Sequence, residues 1–167
     1  MNNLYIITGP AGVGKSTICK KISEAKDKSV LIEGDLIYRQ VIGGYVSPWK
    51  EGNHLDVFWN VCFDMIKTYL SYGYDVIFNY IVTPNVIQKI KEIFSEFNIK
   101  FIVLLVDSKE LLKRDKQRPI ENQMQERCLI LLDSFKRKEY NKENILDTTN
   151  LSIEDTAKKI EEGDFKI

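Results

Sequence analysis

The stretch Leu4-Tyr5-Ile6-Ile7-Thr8-Gly9-Pro10-Ala11-Gly12-Val13-Gly14-Lys15-Ser16-Thr17 decides how this chain is read. Four apolar residues suit a buried strand, and a glycine-rich turn follows them. Ile18, Ile22 and Ala25 then recur at i, i+4 and i+7, the spacing of one helix face. Strand, glycine turn and helix in that order, with G-x-x-x-x-G-K-[ST] between, form a phosphate-binding P-loop. Polyphosphate needs many donors at close range, so the backbone N–H groups of a tight loop must face inward. Gly9, Gly12 and Gly14 relieve the Cβ clashes this would cause. A helix starting near Lys15 aims its positive end at the anion. The whole run Gly9, Pro10, Ala11, Gly12, Val13, Gly14, Lys15, Ser16 and Thr17 is therefore expected to cradle a nucleotide's phosphates. Lys15 would reach the β- and γ-phosphates, and the Ser16 hydroxyl would ligate Mg²⁺.

The 167 residues suit one domain with a core of its own, and a hydrophobic content of 44% is that of a globular protein. Basic and acidic residues balance at 24 each, so no overall field draws the molecule to nucleic acid or an anionic membrane. Cys19, Cys62 and Cys128 are widely spaced, with His54 the only histidine, which speaks against a disulfide framework or a zinc site. The first apolar run stops after four residues without a basic leader, and Phe101 to Val106 is too short to span a bilayer. A cytoplasmic protein is expected, with no membrane or nucleic-acid partner and with a monomer or weak homodimer as its assembly.

Further strands are predicted at Ser29 to Ile32, Val76 to Phe78, Phe101 to Val106 and Ile145-Leu146. Helical patterns separate them. One carries Leu55, Phe58, Trp59, Cys62, Met65, Ile66 and Tyr69 after an Asn53/Asp56 capping box and ends at Gly73. A second follows Thr83-Pro84 with Ile87, Ile90, Phe94 and Phe97, and a short third is capped by Asp107-Ser108 and broken at Arg118-Pro119. A long one holds Met124, Cys128, Leu131, Leu132 and Phe135, and a last is capped by Ser152 with Asp155. Such alternation predicts an α/β fold with a parallel sheet, whose ligands gather at the carboxyl ends of the strands.

Three groups stand at those ends. Glu33 and Asp35 flank Gly34 after the second strand; read as extended chain, both carboxylates lean to one side. One is expected to hold a metal-bound water and the other to take the proton of an attacking hydroxyl. Arg114, Arg118 and Arg127 supply guanidinium groups that neutralise transferring phosphate without titrating, with Arg118 on a flap. Tyr45, Trp49 and Tyr80 are candidate pocket walls. Asn141-Lys142-Glu143-Asn144 is similar to the guanine-reading N-K-x-D motif but lacks its aspartate and precedes a strand, which speaks against a GTPase switch.

These residues resemble the small P-loop kinases of the shikimate kinase, gluconate kinase and chloramphenicol phosphotransferase type, over essentially the whole chain. Glu33-Gly34-Asp35 matches the D-x-D-like pair, Arg114-Asp115-Lys116-Gln117-Arg118-Pro119 the R-x-x-R-P-like lid, Arg127 the lid-distal arginine, and Asp147-Thr148-Thr149 the adenine-contacting loop. The resemblance implies a P-loop NTPase three-layer sandwich: a five-stranded parallel sheet of order 2-3-1-4-5 with a short lid. It further implies ATP with Mg²⁺ as donor, a small hydroxyl compound as acceptor, and one kinase domain over 1–167. The lid would span about 114–124 and the acceptor segment about 36–60, with Asp35, Arg39, Tyr45, Trp49, Tyr80 and Arg127 toward the acceptor. Tyr38 stands where gluconate kinases carry a histidine, and Asn79-Tyr80-Ile81-Val82 where shikimate kinases carry glycines. Position 79 also has no carboxylate, so Mg²⁺ would rest on Ser16 and, through water, Glu33. Lys15, Asp35, Arg118 and Arg127 are the expected catalytic set. Two alternatives stay open: a nucleoside monophosphate kinase, and an ATP-binding module without transferase activity.

Overall fold

The computed structural model describes residues 2–167. Its centre is β1 (Asn3–Thr8), whose alternation sends Leu4 and Ile6 to one face of the sheet and Tyr5 and Ile7 to the other. All four are buried, which is why the run is apolar throughout. Flanking it are β2 (Ser29–Glu33), β3 (Asp75–Asn79), β4 (Asn98–Leu105) and β5 (Ile145–Asp147). The order is β2-β3-β1-β4-β5 and every pairing is parallel, with Ile6 opposite both Phe78 and Phe101.

Helices cover both faces. On one side, α3 (His54–Ser71) buries Phe58, Cys62, Ile66 and Leu70, and α4 (Pro84–Ile93) buries Ile90. On the other, α1 (Lys15–Glu24) buries Ile18, Cys19 and Ile22, and α7 (Ile153–Glu162) buries Ala157 and Ile160. Between β4 and β5 run α5 (Ser108–Lys116) and α6 (Glu126–Arg137), whose Cys128 and Leu132 join this second core while Phe135 joins the first. The three cysteines are free and buried, as their apolar stripes predict. No helix among the described residues is long and apolar enough to cross a membrane.

Several local expectations change. The chain after β2 does not stay extended: Gly34–Tyr38 forms a short helix, α2. β4 begins three residues early because Lys100 is buried within it, its Nζ donating to the carbonyls of Ile160, Glu161 and Gly163 at the C-terminus of α7. A cation there satisfies the helix's last carbonyls and its dipole. Asn53 makes no side-chain cap, whereas Asp107 and Ser152 do, accepting from the amides of Glu110 and Asp155. Phe97 lies beyond the end of α4, and Met124 lies before the start of α6.

Candidate functional site

The turn between β1 and α1 rims a cavity of about 740 Å³ at the carboxyl end of the sheet. That volume suits a nucleotide-sized ligand. The turn's glycines are demanded by its path. Gly9 has φ 151°, and a Cβ there would lie 2.5 Å from the carbonyl oxygen of Leu104 on β4. Gly14, at φ 106°, opens α1 in a left-handed conformation that a side chain would strain. Lys15 Nζ donates to the carbonyls of Gly9 (2.8 Å) and Pro10 (3.0 Å). Burial pushes its ammonium down to a pKa of about 8, against a raising influence from the Asp35 carboxylate and a lowering one from Arg118. A half-buried cation that lines the cavity and is tied to two carbonyls of the loop is poised to gain from an anion.

The two acids after β2 part company. The extended reading had both leaning one way; α2 separates them, because Glu33 ends the strand while Asp35 sits in the first turn of the helix. Asp35 is exposed and lines the same cavity as Lys15. Glu33 is half-buried, and its Oε1 accepts from Asn79 Nδ2 at 3.3 Å. The same amide nitrogen donates to Ser16 Oγ at 3.1 Å. Asn79, the position without a carboxylate, therefore ties the loop's hydroxyl to the Glu33 anion. Gly34 between the acids is packed flat on Tyr80: a Cβ would meet that ring at 2.6 Å.

Arg114 lines the cavity wall, and most of its guanidinium is committed to protein. Nη1 donates to Val13 O (3.0 Å) and Thr148 Oγ1 (3.1 Å), Nη2 to Thr148 O (2.8 Å), and Nε to Glu110 Oε1 (3.0 Å). It thus clamps the phosphate loop to the end of β5. Of Asp147, Thr148 and Thr149, only Thr148 lines the cavity. Asp147 and Thr149 bond each other, the Thr149 hydroxyl donating to Asp147 Oδ1 at 2.6 Å. Beyond them Leu151, Ser152, Ile153, Glu154 and Thr156 line the same wall, residues that no nucleotide-binding motif in the sequence marks.

The chain between α5 and α6 is organised by an acid that the sequence reading passed over. Asp115, 1% exposed, accepts from the amides of Met124 (3.0 Å) and Gln125 (2.7 Å) and from Arg118 Nη1 (3.2 Å). Burial acts to raise its pKa, but the two amides and Arg118 outweigh it and leave the carboxyl below its ordinary value. Gln125, at φ 50°, is the one non-glycine residue with positive φ among the described residues. Arg118 lines the cavity, and its other donors have no partner among the described residues. The D-x-x-R spacing of Asp115 and Arg118 was the available signal, since residues three apart in a helical turn face each other.

Arg127 does not line this cavity. It is exposed, with its guanidinium 5.7 Å from the centroid of the Trp49 ring, so it joins α6 to the segment between α2 and α3. Tyr45 packs edge-on to Tyr38 at 5.7 Å. Arg39 is exposed at the end of α2. Tyr80, read as a possible pocket wall, is buried instead among Phe58, Trp59 and Phe78.

A family model described as an AAA domain matches residues 4–138, a span holding the glycine loop, both acids and all three arginines. No curated protein matches the chain. Among solved structures, the chain is similar to the tunicamycin resistance protein of Deinococcus radiodurans, with a TM-score of 0.71 at 14% identity, over 96% of this chain and 94% of that one. It is also similar to a gluconokinase of Sinorhizobium meliloti, with a TM-score of 0.69 at 14% identity, over 95% and 89% of the two chains. A chain of the Pnkp1/Rnl/Hen1 RNA repair complex gives 0.61 at 20% identity, over 84% of this chain and 46% of its own. At these identities the likeness is one of fold.

Proposed function

The chain belongs to the AAA domain family, and on that footing we propose that it transfers the γ-phosphate of Mg²⁺-ATP to a hydroxyl group of a small molecule. The observation that supports this most is that Asp35 shares a cavity with Lys15 and lies close enough to raise its pKa. A carboxylate that has no salt-bridge partner among the described residues and lies opposite a phosphate loop is the group a hydroxyl acceptor needs.

In this reading the loop amides from Gly9 to Thr17 and the Lys15 ammonium hold the β- and γ-phosphates. Ser16 and, through water, Glu33 would hold Mg²⁺, and Asn79 is hydrogen-bonded to both side chains. The ion would supply charge neutralisation on the transferring group. Asp35 accepts the proton of the acceptor hydroxyl as its oxygen bonds to the γ-phosphorus and the bond to the ADP oxygen breaks. Arg118, anchored at one nitrogen by Asp115, presents its free donors to the equatorial oxygens. Arg114 holds the loop in shape and bounds the nucleotide side with Thr148. The segment of about 114–124 acts as the lid, and Arg127 with Trp49 closes the acceptor side.

A nucleoside monophosphate acceptor would need cations for its phosphate. Arg39, Lys50 and Lys67 are all exposed, and none lines the cavity, which favours the hydroxyl. The test is Asp35→Asn. Acceptor-dependent ADP release should fall by about 10²–10⁴, with Mg²⁺-ATP affinity unchanged by calorimetry. Turnover that survives the change refutes the proposal. Tight Mg²⁺-ATP binding with no release of ADP to any alcohol, sugar acid or nucleotide would make the chain a binding module instead.

A further inference from the structure

A second cavity, of about 180 Å³, lies among α2, the segment after it and the first turns of α3. Tyr38, Tyr45, Val57, Phe58 and Val61 wall it, and among the described residues no Lys, Arg, Asp or Glu lines it. His54 also lines it, and the Nε2 atom of His54 is buried with no hydrogen-bond partner. Buried polar atoms are almost always paired, so an orphan of this kind calls for a ligand or an explanation. Tyr38 supplies none, because its hydroxyl already donates to Val46 O at 2.6 Å.

Size and chemistry limit the occupant. An apolar cavity of about 150 Å³ holds benzene, so this one takes a single six-membered ring with a short arm. Uncharged walls exclude carboxylates and phosphates, which would be stripped of water without a counter-charge. An imidazole nitrogen donates or accepts according to its tautomer, and a hydroxyl on the ligand answers either.

The cavity also lies beside the proposed base. Tyr38 follows Asp35 by three residues on α2, which brings their Cβ atoms to about 5–6 Å. Tyr38 packs edge-on to Tyr45 (5.7 Å) and Phe58 (5.3 Å), Phe58 packs on Tyr80 (4.6 Å), and Tyr80 lies against Gly34, the residue before Asp35, so the cavity wall is continuous with the ring beneath the proposed base. We propose that this cavity holds the body of the phosphoryl acceptor, and that the acceptor is an uncharged alcohol built on a ring rather than a sugar acid or a phosphate. The proposal rests on the phosphotransfer reading above.

His54 is the only histidine, so its ring signals in proton–carbon NMR report on this cavity alone. The probes are benzyl alcohol, 4-hydroxybenzyl alcohol and cyclohexylmethanol, with gluconate and glycerol 3-phosphate as charged counterparts. At least one ring alcohol should move the His54 signals saturably and drive ADP release from Mg²⁺-ATP, and the charged pair should do neither. Val61→Trp, which fills the rim, should weaken both effects at least tenfold while Mg²⁺-ATP affinity holds. In His54→Phe, benzyl alcohol and toluene should bind equally by ligand-observed NMR, whereas the unmodified protein should prefer the alcohol. Silence of His54 toward every ring alcohol, or shifts that survive Val61→Trp, overturns the proposal. ADP release driven by gluconate overturns it too, and leaves phosphotransfer standing. His54 shifts without ADP release to any compound sink the phosphotransfer reading, and the acceptor assignment with it.

Discussion

Lys15 offers the most quantitative check, because its charge is held at a cost the protein shows before any nucleotide binds. Its folded pKa of about 8 lies below the 10.5 of a free lysine, chiefly through burial. Between those values the unfolded chain binds more protons than the folded one, so stability rises with pH there. The depression makes the charged side chain a burden of about 3 kcal/mol at pH 7, falling to about 1 kcal/mol at pH 9.5. In Lys15→Met the burden is absent at every pH. The gap in unfolding free energy between the two proteins should therefore shift by about 2 kcal/mol, in favour of the natural protein, from pH 7 to pH 9.5. Urea titration at four pH values measures it, and ionisations elsewhere cancel in the difference. Mg²⁺-ATP should stabilise only the lysine form appreciably. A gap that does not move with pH refutes the idea that burial outweighs the bonds and the carboxylate that favour this ammonium.

Three further outcomes follow from the bonds around the cavity. Asp115→Ala leaves the amides of Met124 and Gln125 unpaired, at about 2–4 kcal/mol by urea titration, and should expose 117–125 to proteolysis. Because the folded carboxyl titrates below its ordinary value, the tie holds above the unfolded pKa and is lost only as pH falls through the lower folded one, so protease resistance should persist at pH 5. Arg114→Lys cannot reproduce the fork onto Val13 O and Thr148 O, and the Mg²⁺-ATP dissociation constant should rise about tenfold. Gly34→Ala drives a Cβ into Tyr80, which should cost about 1–3 kcal/mol in melting experiments and lower kcat more than it changes KM for ATP, since Asp35 moves with it.

What was legible in the sequence is what a backbone requires locally. The turn after β1 needs its glycines wherever it occurs, and strands covered on both faces need unbroken apolar runs, so sheet and phosphate loop announce themselves. Lys100 hid the start of β4 because its burial is earned by α7, more than fifty residues away. Asp115 looked like any helix charge, since its partners are amides brought in by the turn of the chain through Gln125. The pairing of Glu33 with Asp35 failed for a related reason. The chain turns helical at Gly34, and that turn depends on packing against Tyr80 rather than on any preference of Gly34-Asp35-Leu36. Tyr80 itself was ambiguous because an aromatic ring beside a strand end serves core and pocket equally well.

The contact between Trp49 and Arg127 gives the molecule an optical handle. Of the two tryptophans, Trp59 is set among Phe58, Phe63 and Tyr80, while Trp49 is 72% exposed and carries a guanidinium near its face. With Trp59 replaced by Phe, all indole emission would come from the seam between α6 and the segment that precedes α3. Any change in that seam as ligands bind would then be read as a shift in colour and anisotropy, in real time and without an attached dye.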